Sequence, residues 1–156
     1  MANVYLGLGS NLGDREARLQ QAVECIAERV GPVVALSAFY ETEPWGFDSD
    51  HLFMNAACVA ETALTPGQVL QATQQLEREM GRTRKSVEGT YADRPIDIDL
   101  LLYDDLVCHT PDLVLPHPLM HERLFVMQPL AEIAPRVVHP VLHESLEKLL
   151  SRLMKC

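Results

Sequence analysis

Two aspartates set two positions apart, in Ile96-Asp97-Ile98-Asp99-Leu100, are where chemistry first shows in this sequence. On a strand, residues i and i+2 share a face. Ile96, Ile98, Leu100 and Leu102 are therefore expected toward a core, and Asp97 and Asp99 together on the other side. Neighbouring carboxylates repel unless something neutralises them, and Mg²⁺, which prefers hard oxygen ligands and substrate phosphates, does this well. Taken alone, the pair also fits the solvated polar face of an edge strand. Cations stand close by: Arg78, then Arg82, Arg84, Lys85 and Arg94 in the segment that leads into the aspartates. Guanidinium groups bind phosphate oxygens in a fork geometry, and cations beside paired carboxylates suit a metal–polyphosphate complex. A solvated charged face is the other account of such a cluster.

Other phosphate-binding motifs fail. No Gly-rich loop ends in Lys-Ser/Thr, and Gly7-Leu8-Gly9-Ser10-Asn11-Leu12-Gly13 has the wrong spacing for a dinucleotide fingerprint. His117 lies between Pro116 and Pro118, either aimed by that fixed backbone or set in a plain surface turn. Phe53 and Phe125 read as core residues. Trp45 falls in a turn-like stretch, as a lid over a flat ligand or a plug on the domain.

The elements that must position these residues follow from apolar spacing. Val4 to Gly9 reads as a first strand, and Asn11 to Asp14 as turn and capping chemistry. Leu19, Ala22, Val23, Ile26, Ala27 and Val30 form a helical stripe that Gly31-Pro32 ends. Val33 to Tyr40 is a second strand, Glu41 to Asp50 a loop, and Leu52 to Glu61 a third strand. Thr65-Pro66-Gly67-Gln68 is a capping box with Pro at the first helical position, opening a helix that reaches Gly81. Arg82 to Pro95 is a long loop, and Ile96 to Tyr103 a fourth strand. A small hairpin (Leu106 to Cys108, Leu113 to Leu115) and a last helix through Leu146, Leu149, Leu150 and Leu153 complete the chain. The order strand, helix, strand, strand, helix, strand predicts an α+β, ferredoxin-like βαββαβ sandwich with an added C-terminal hairpin and helix.

Bulk properties narrow the field. A chain of 156 residues, 47% hydrophobic, is expected to form a single domain spanning 1–156. A net charge of −9 argues against nonspecific binding to nucleic acid or membrane surface. Cys25, Cys58, Cys108 and Cys156 lack metal-knuckle or redox spacing, and no stretch is long enough to span a bilayer. A cytoplasmic protein with reduced thiols is expected.

Taken together the motifs resemble the 6-hydroxymethyl-7,8-dihydropterin pyrophosphokinase family. The pieces are Gly9-Ser10-Asn11-Leu12-Gly13-Asp14, Tyr40-Glu41-Thr42-Glu43-Pro44-Trp45-Gly46 and Phe53-Met54-Asn55-Ala56. Glu77 through Gly81-Arg82-Thr83-Arg84-Lys85 and Arg94-Pro95-Ile96-Asp97-Ile98-Asp99 follow. Pro116-His117-Pro118, Arg123-Leu124-Phe125 and Gln128-Pro129-Leu130 complete the set, so the pattern runs from Leu8 to about Pro140. Each piece is weak singly; their order and spacing are specific.

The resemblance implies transfer of pyrophosphate from ATP to the pterin alcohol in folate biosynthesis, with two Mg²⁺ on Asp97 and Asp99. It implies that Arg82, Arg94 and His117 grip phosphates, with Arg84 on the same loop, Arg123 near the transferred group, and Gln74 and Glu77 on the nucleotide side. It places the pterin between Phe53 and Phe125, with its edges on Asn55 and on the backbone around Thr42, Glu43 and Trp45, and it implies a monomer whose partners are small-molecule substrates. The sequence departs from many members in Ala92-Asp93-Arg94-Pro95, in a longer stretch between Arg84 and Arg94, and in Tyr91 at the place of a tryptophan. These departures bear on that loop's geometry rather than on the reaction. Two rival readings stand beside this one: another metal-dependent phosphotransferase on the same fold, and a non-enzymatic nucleotide or pterin binder.

Overall fold

The computed structural model of the chain describes residues 1–11, 13–42, 52–81 and 96–155. Its elements in chain order are β1 (Ala2–Ser10), α1 (Arg15–Arg29), β2 (Val33–Leu36), β3 (Tyr40–Thr42), β4 (Phe53–Thr62), α2 (Pro66–Glu79) and β5 (Asp97–Tyr103). A two-stranded hairpin, β6 (Cys108–His109) and β7 (Val114–Leu115), then leads into α3 (Leu124–Ile133) and α4 (Leu146–Met154). The main sheet is antiparallel in the order β2-β4-β1-β5, with β3 also paired to β4. That is the α+β, ferredoxin-like order expected from the sequence.

Both faces of the sheet are covered. On one, Val4, Leu6 and Leu8 of β1 and Ile98 and Leu100 of β5 meet Leu19, Ala22 and Ile26 of α1 and Val69 and Leu76 of α2. On the other, Tyr5, Ala57 and Val59 meet Val126, Met127, Leu130 and Ala131 of α3 and Leu146 and Leu149 of α4. This double burial makes β1 apolar almost throughout, as a central strand requires. Gly31 closes the turn from α1 to β2 at φ +156°; a Cβ there would sit 1.8 Å from the Glu61 carbonyl oxygen, so only glycine lets the chain pass β4.

Four details depart from the sequence reading. The strand expected over Val33 to Tyr40 is two strands, because Ser37 intervenes. Its N–H still donates to the Ala57 carbonyl at 2.9 Å, but its hydroxyl accepts from the Ala57 N–H at 2.9 Å and donates to the Ala38 carbonyl at 2.7 Å, so a side-chain oxygen stands in for a backbone acceptor. Glu41 and Thr42, expected in a loop, belong to β3. Leu102 does not share a face with Ile98 and Leu100. Tyr5 pairs with Leu102 and Leu6 with Leu100, so Leu101 is an extra residue, a β-bulge. Leu101 and Leu102 both join the α3–α4 side, and Tyr103 returns to the other. Helix α3 has no counterpart in the sequence reading; Pro129 lies inside it and is buried.

Candidate active site

Register brings the predicted residues into one row. Gly9 of β1 pairs with Asn55 of β4 on one side and Asp97 of β5 on the other, and Tyr40 of β3 pairs with Asn55. Directly opposed residues share a face, so Asn55, Gly9 and Asp97 line the same side of the sheet. Two strand spacings set the Asn55 and Asp97 backbones about 10 Å apart. The next row pairs Gly7 with Ala57 and with Asp99. Asp97 and Asp99 are half-buried and alternate with buried Ile96, Ile98 and Leu100. The two glycines beside them carry no side chain; Leu101 packs over Gly7, where a Cβ would lie 3.4 Å from its Cδ1.

Gly9 is required by close packing. A Cβ there would lie 2.9 Å from Asn55 Oδ1 and 3.5 Å from Phe53 Cδ1. Asn55 is 6% exposed, and its Nδ2 donates to Thr42 Oγ1 at 2.5 Å. The amide is thereby oriented, with Oδ1 over Gly9. Thr42 pairs with Phe53 across β3 and β4. The structure thus gathers Thr42, Phe53 and Asn55 at one end of the row and Asp97 and Asp99 at the other.

The cationic side is built by the segment after β7 and by the start of α3. The His117 N–H donates to the Leu101 carbonyl at 2.9 Å, which uses the bulge to hold this segment against β5. His117 Nδ1 accepts from the Leu119 N–H at 3.3 Å. The neutral ring therefore carries its proton on Nε2 and can donate from there. Burial pushes the His117 pKa down, the Arg123 guanidinium pushes it the same way, and the Asp97 carboxylate opposes both. The imidazole thus lies within electrostatic reach of a cation and an anion of the predicted site. Arg123 caps α3 and sits over the Phe125 ring at 5.8 Å from its centroid. Phe125 packs against the α3–α4 core cluster, and α3 crosses β4, β1 and β3. A helix N-terminus carrying an arginine favours anions.

On α2, Gln74 is exposed and Glu77, one turn on, is 8% exposed. Glu77 Oε2 accepts from the Ile98 N–H at 2.8 Å, between the two aspartates. Glu43, Trp45, Arg82, Arg84 and Arg94 lie outside the described residues. Sequence reasoning missed Gly7 and Gly9 as site residues, although their i, i+2 spacing on a strand was the available signal. It also missed Arg15, which donates to the Leu52 carbonyl and to Glu41 Oε2, both at 2.7 Å. Arg15 thereby ties together residues that flank the segment holding Glu43 and Trp45.

A family model described as 7,8-dihydro-6-hydroxymethylpterin-pyrophosphokinase (HPPK) matches residues 5–135, the whole span that carries this row. The chain belongs to this family. It is 53% identical over 141 residues to 2-amino-4-hydroxy-6-hydroxymethyldihydropteridine pyrophosphokinase of Porphyromonas gingivalis, covering 90% of this chain and 95% of the relative. Against the protein of the same name from Bacillus subtilis it is 44% identical over 134 residues, 85% of this chain and 78% of the relative. A crystal structure of Plasmodium falciparum HPPK-DHPS superposes with a TM-score of 0.80 at 16% identity. It covers 99% of this chain, which spans 43% of that one, and it shows the fold of the family. Among the described residues no helix is long and apolar enough to cross a membrane.

Proposed function

We propose that this chain transfers the pyrophosphoryl group of ATP to 6-hydroxymethyl-7,8-dihydropterin, giving AMP and the pterin diphosphate, as a step of folate biosynthesis. The observation that carries the reading is the row Asn55–Gly9–Asp97 in a member of this family. It sets an oriented amide and an aromatic ring at one end and paired carboxylates at the other, about two strand spacings apart. A flat heterocycle needs aromatic faces and in-plane hydrogen-bond partners. Phe53 and Phe125 supply the faces; Asn55 and Thr42, with Glu43 and Trp45 from their own segment, supply the edge contacts. The hydroxymethyl group then points along the row toward Asp97.

The carboxylate pair fits Mg²⁺. The ion is commonly bound through one or two carboxylates plus substrate phosphates, and Asp97 and Asp99 are two half-buried carboxylates on one face of β5. When bound, two such ions would neutralise the triphosphate and polarise the transferred phosphorus. The chain's own groups do the rest. His117 donates from Nε2 to a phosphate oxygen. Arg123 adds a forked cation at the start of α3, and Arg82, Arg84 and Arg94 clamp the phosphates from their loop. Gln74 and Glu77 lie on the nucleotide side. The alcohol oxygen bonds to the β-phosphorus, the bond from that phosphorus to the α–β bridging oxygen breaks, AMP leaves, and the hydroxyl proton is released.

The test is acceptor dependence. ATP should be consumed with the hydroxymethyl pterin and Mg²⁺, and not with a 6-methyl analogue that lacks the attacking oxygen. Equal consumption with both acceptors, or none with either, would overturn the proposal.

A further inference from the structure

We propose that Glu77 is a positioning residue: it fixes the relative aim of Asp97 and Asp99 by holding the peptide N–H of Ile98 between them. The inference rests on the reading of those aspartates as metal ligands, and it goes beyond a contact with nucleotide. Strand β5 ends the order β2-β4-β1-β5. Every second N–H on its outer edge therefore has no sheet partner. Ile98, paired in register with Leu8, is such a residue, and its N–H meets Glu77 Oε2 at 2.8 Å. Glu77 comes from the last turn of α2, between buried Thr73 and Leu76 on one side and Met80 on the other.

A side-chain carboxyl oxygen here takes the place that a neighbouring strand's carbonyl would have. Its geometric consequence is what concerns the site. The two peptide planes that meet at Ile98 set the directions in which Asp97 and Asp99 leave the strand. With the N–H pinned, the Asp97–Ile98 peptide plane is held, and with it the direction in which Asp97 leaves the strand relative to Asp99. Without it, the outer edge of β5 loses this tie to α2. A buried carboxylate is an expensive way to satisfy one peptide group. Its placement at the single residue between the two aspartates gives it a use that a neutral residue elsewhere would lack.

Three variants of the full chain separate position from charge. Glu77→Gln keeps length and an acceptor oxygen but drops the charge. Glu77→Asp keeps the charge but falls short of Ile98. Glu77→Ala removes both. Two readouts do not depend on turnover: amide hydrogen exchange of Ile98 by NMR, and calorimetric titration of Mn²⁺ with a non-hydrolysable ATP analogue. In Glu77→Asp and Glu77→Ala, Ile98 should exchange faster, and metal–nucleotide affinity and kcat should each fall by about tenfold or more. KM for the pterin should stay within about twofold, since Asn55 and Phe53 stand on another strand. Glu77→Gln, which keeps the acceptor, should protect Ile98 more than Glu77→Asp or Glu77→Ala does and should lose less metal–nucleotide affinity and less kcat than either. If Glu77→Gln is as impaired as Glu77→Ala, or Glu77→Asp is as good as wild type, charge and not position is at work and the proposal is wrong. Should Glu77→Ala not fold, the Gln and Asp pair still decides. Exchange and titration also read out if the wild type fails to form a pterin diphosphate, so this inference and the functional reading fail separately.

Discussion

Gly9 acts through the side chain it does not have. Adding one carbon in Gly9→Ala puts a Cβ 2.9 Å from Asn55 Oδ1, while Thr42 holds the other end of that amide. The amide must swing, so pterin affinity should fall by about tenfold while affinity for MgATP stays unchanged, as calorimetry would show. Phe53→Ala and Phe125→Ala should each weaken pterin binding by about 1–3 kcal/mol and spare the nucleotide. At the other end of the row, Asp97→Ala or Asp99→Ala should cut kcat by about a thousandfold with the fold intact by circular dichroism. Retention of a tenth or more of turnover would remove the carboxylates from the account. The aspartates were legible because a period of two needs only a strand to be read correctly. Gly9 was not, because its role lies in which residues stand beside it on β4 and β5, and local sequence does not state register. The roles of Arg82, Arg84, Arg94, Glu43 and Trp45 rest on motif and family.

Elements were legible where local chemistry decides them. The Thr65 capping box is present as read, with Gln68 N–H on Thr65 Oγ1 at 3.2 Å and the reciprocal bond at 2.9 Å. Thr65→Ala should cost about 1 kcal/mol, lowering Tm by about 2–4 °C. Helix α3 was hidden because Pro129 breaks the expected pattern, yet Val126, Met127, Leu130 and Ala131 bury one helical face. Strand β2 stopped early because Ser37 found a backbone partner on β4, a tertiary event. The turn joining α3 to α4 carries a pH dependence. His139 is 3% exposed, and its Nδ1 accepts from the Val141 and Leu142 N–H groups at 3.2 and 3.1 Å. Burial, then His121 and His143, push its pKa down. The folded state thus favours the neutral ring. Its stability is intact above the unfolded-state pKa and is lost as pH falls from about 6.5 toward the lower folded value. Thermal melts between about pH 7.5 and about pH 5.5 should show a falling Tm, with a shallower fall in His139→Gln. Equal slopes would contradict the assignment.

At the scale of the whole molecule, the β2-β4-β1-β5 sheet turns the face bearing Asn55, Gly9 and Asp97 to the side that α3 covers, with His117 within electrostatic reach of Asp97 and Arg123. Helix α2, on the opposite face, lends Glu77 at the outer edge of β5. Element order was readable from apolar periods, but this fold hosts many activities and does not choose among them. What chose was the set of motifs, joined by register into one row, together with membership of the family. The proposed reading leaves one chemical choice open to direct test: attack at the β- or at the γ-phosphorus. Chromatography of a turnover mixture of this chain with MgATP and 6-hydroxymethyl-7,8-dihydropterin decides it. The account predicts AMP appearing one-for-one with a pterin diphosphate; ADP as the first nucleotide product, with a pterin monophosphate, would contradict it.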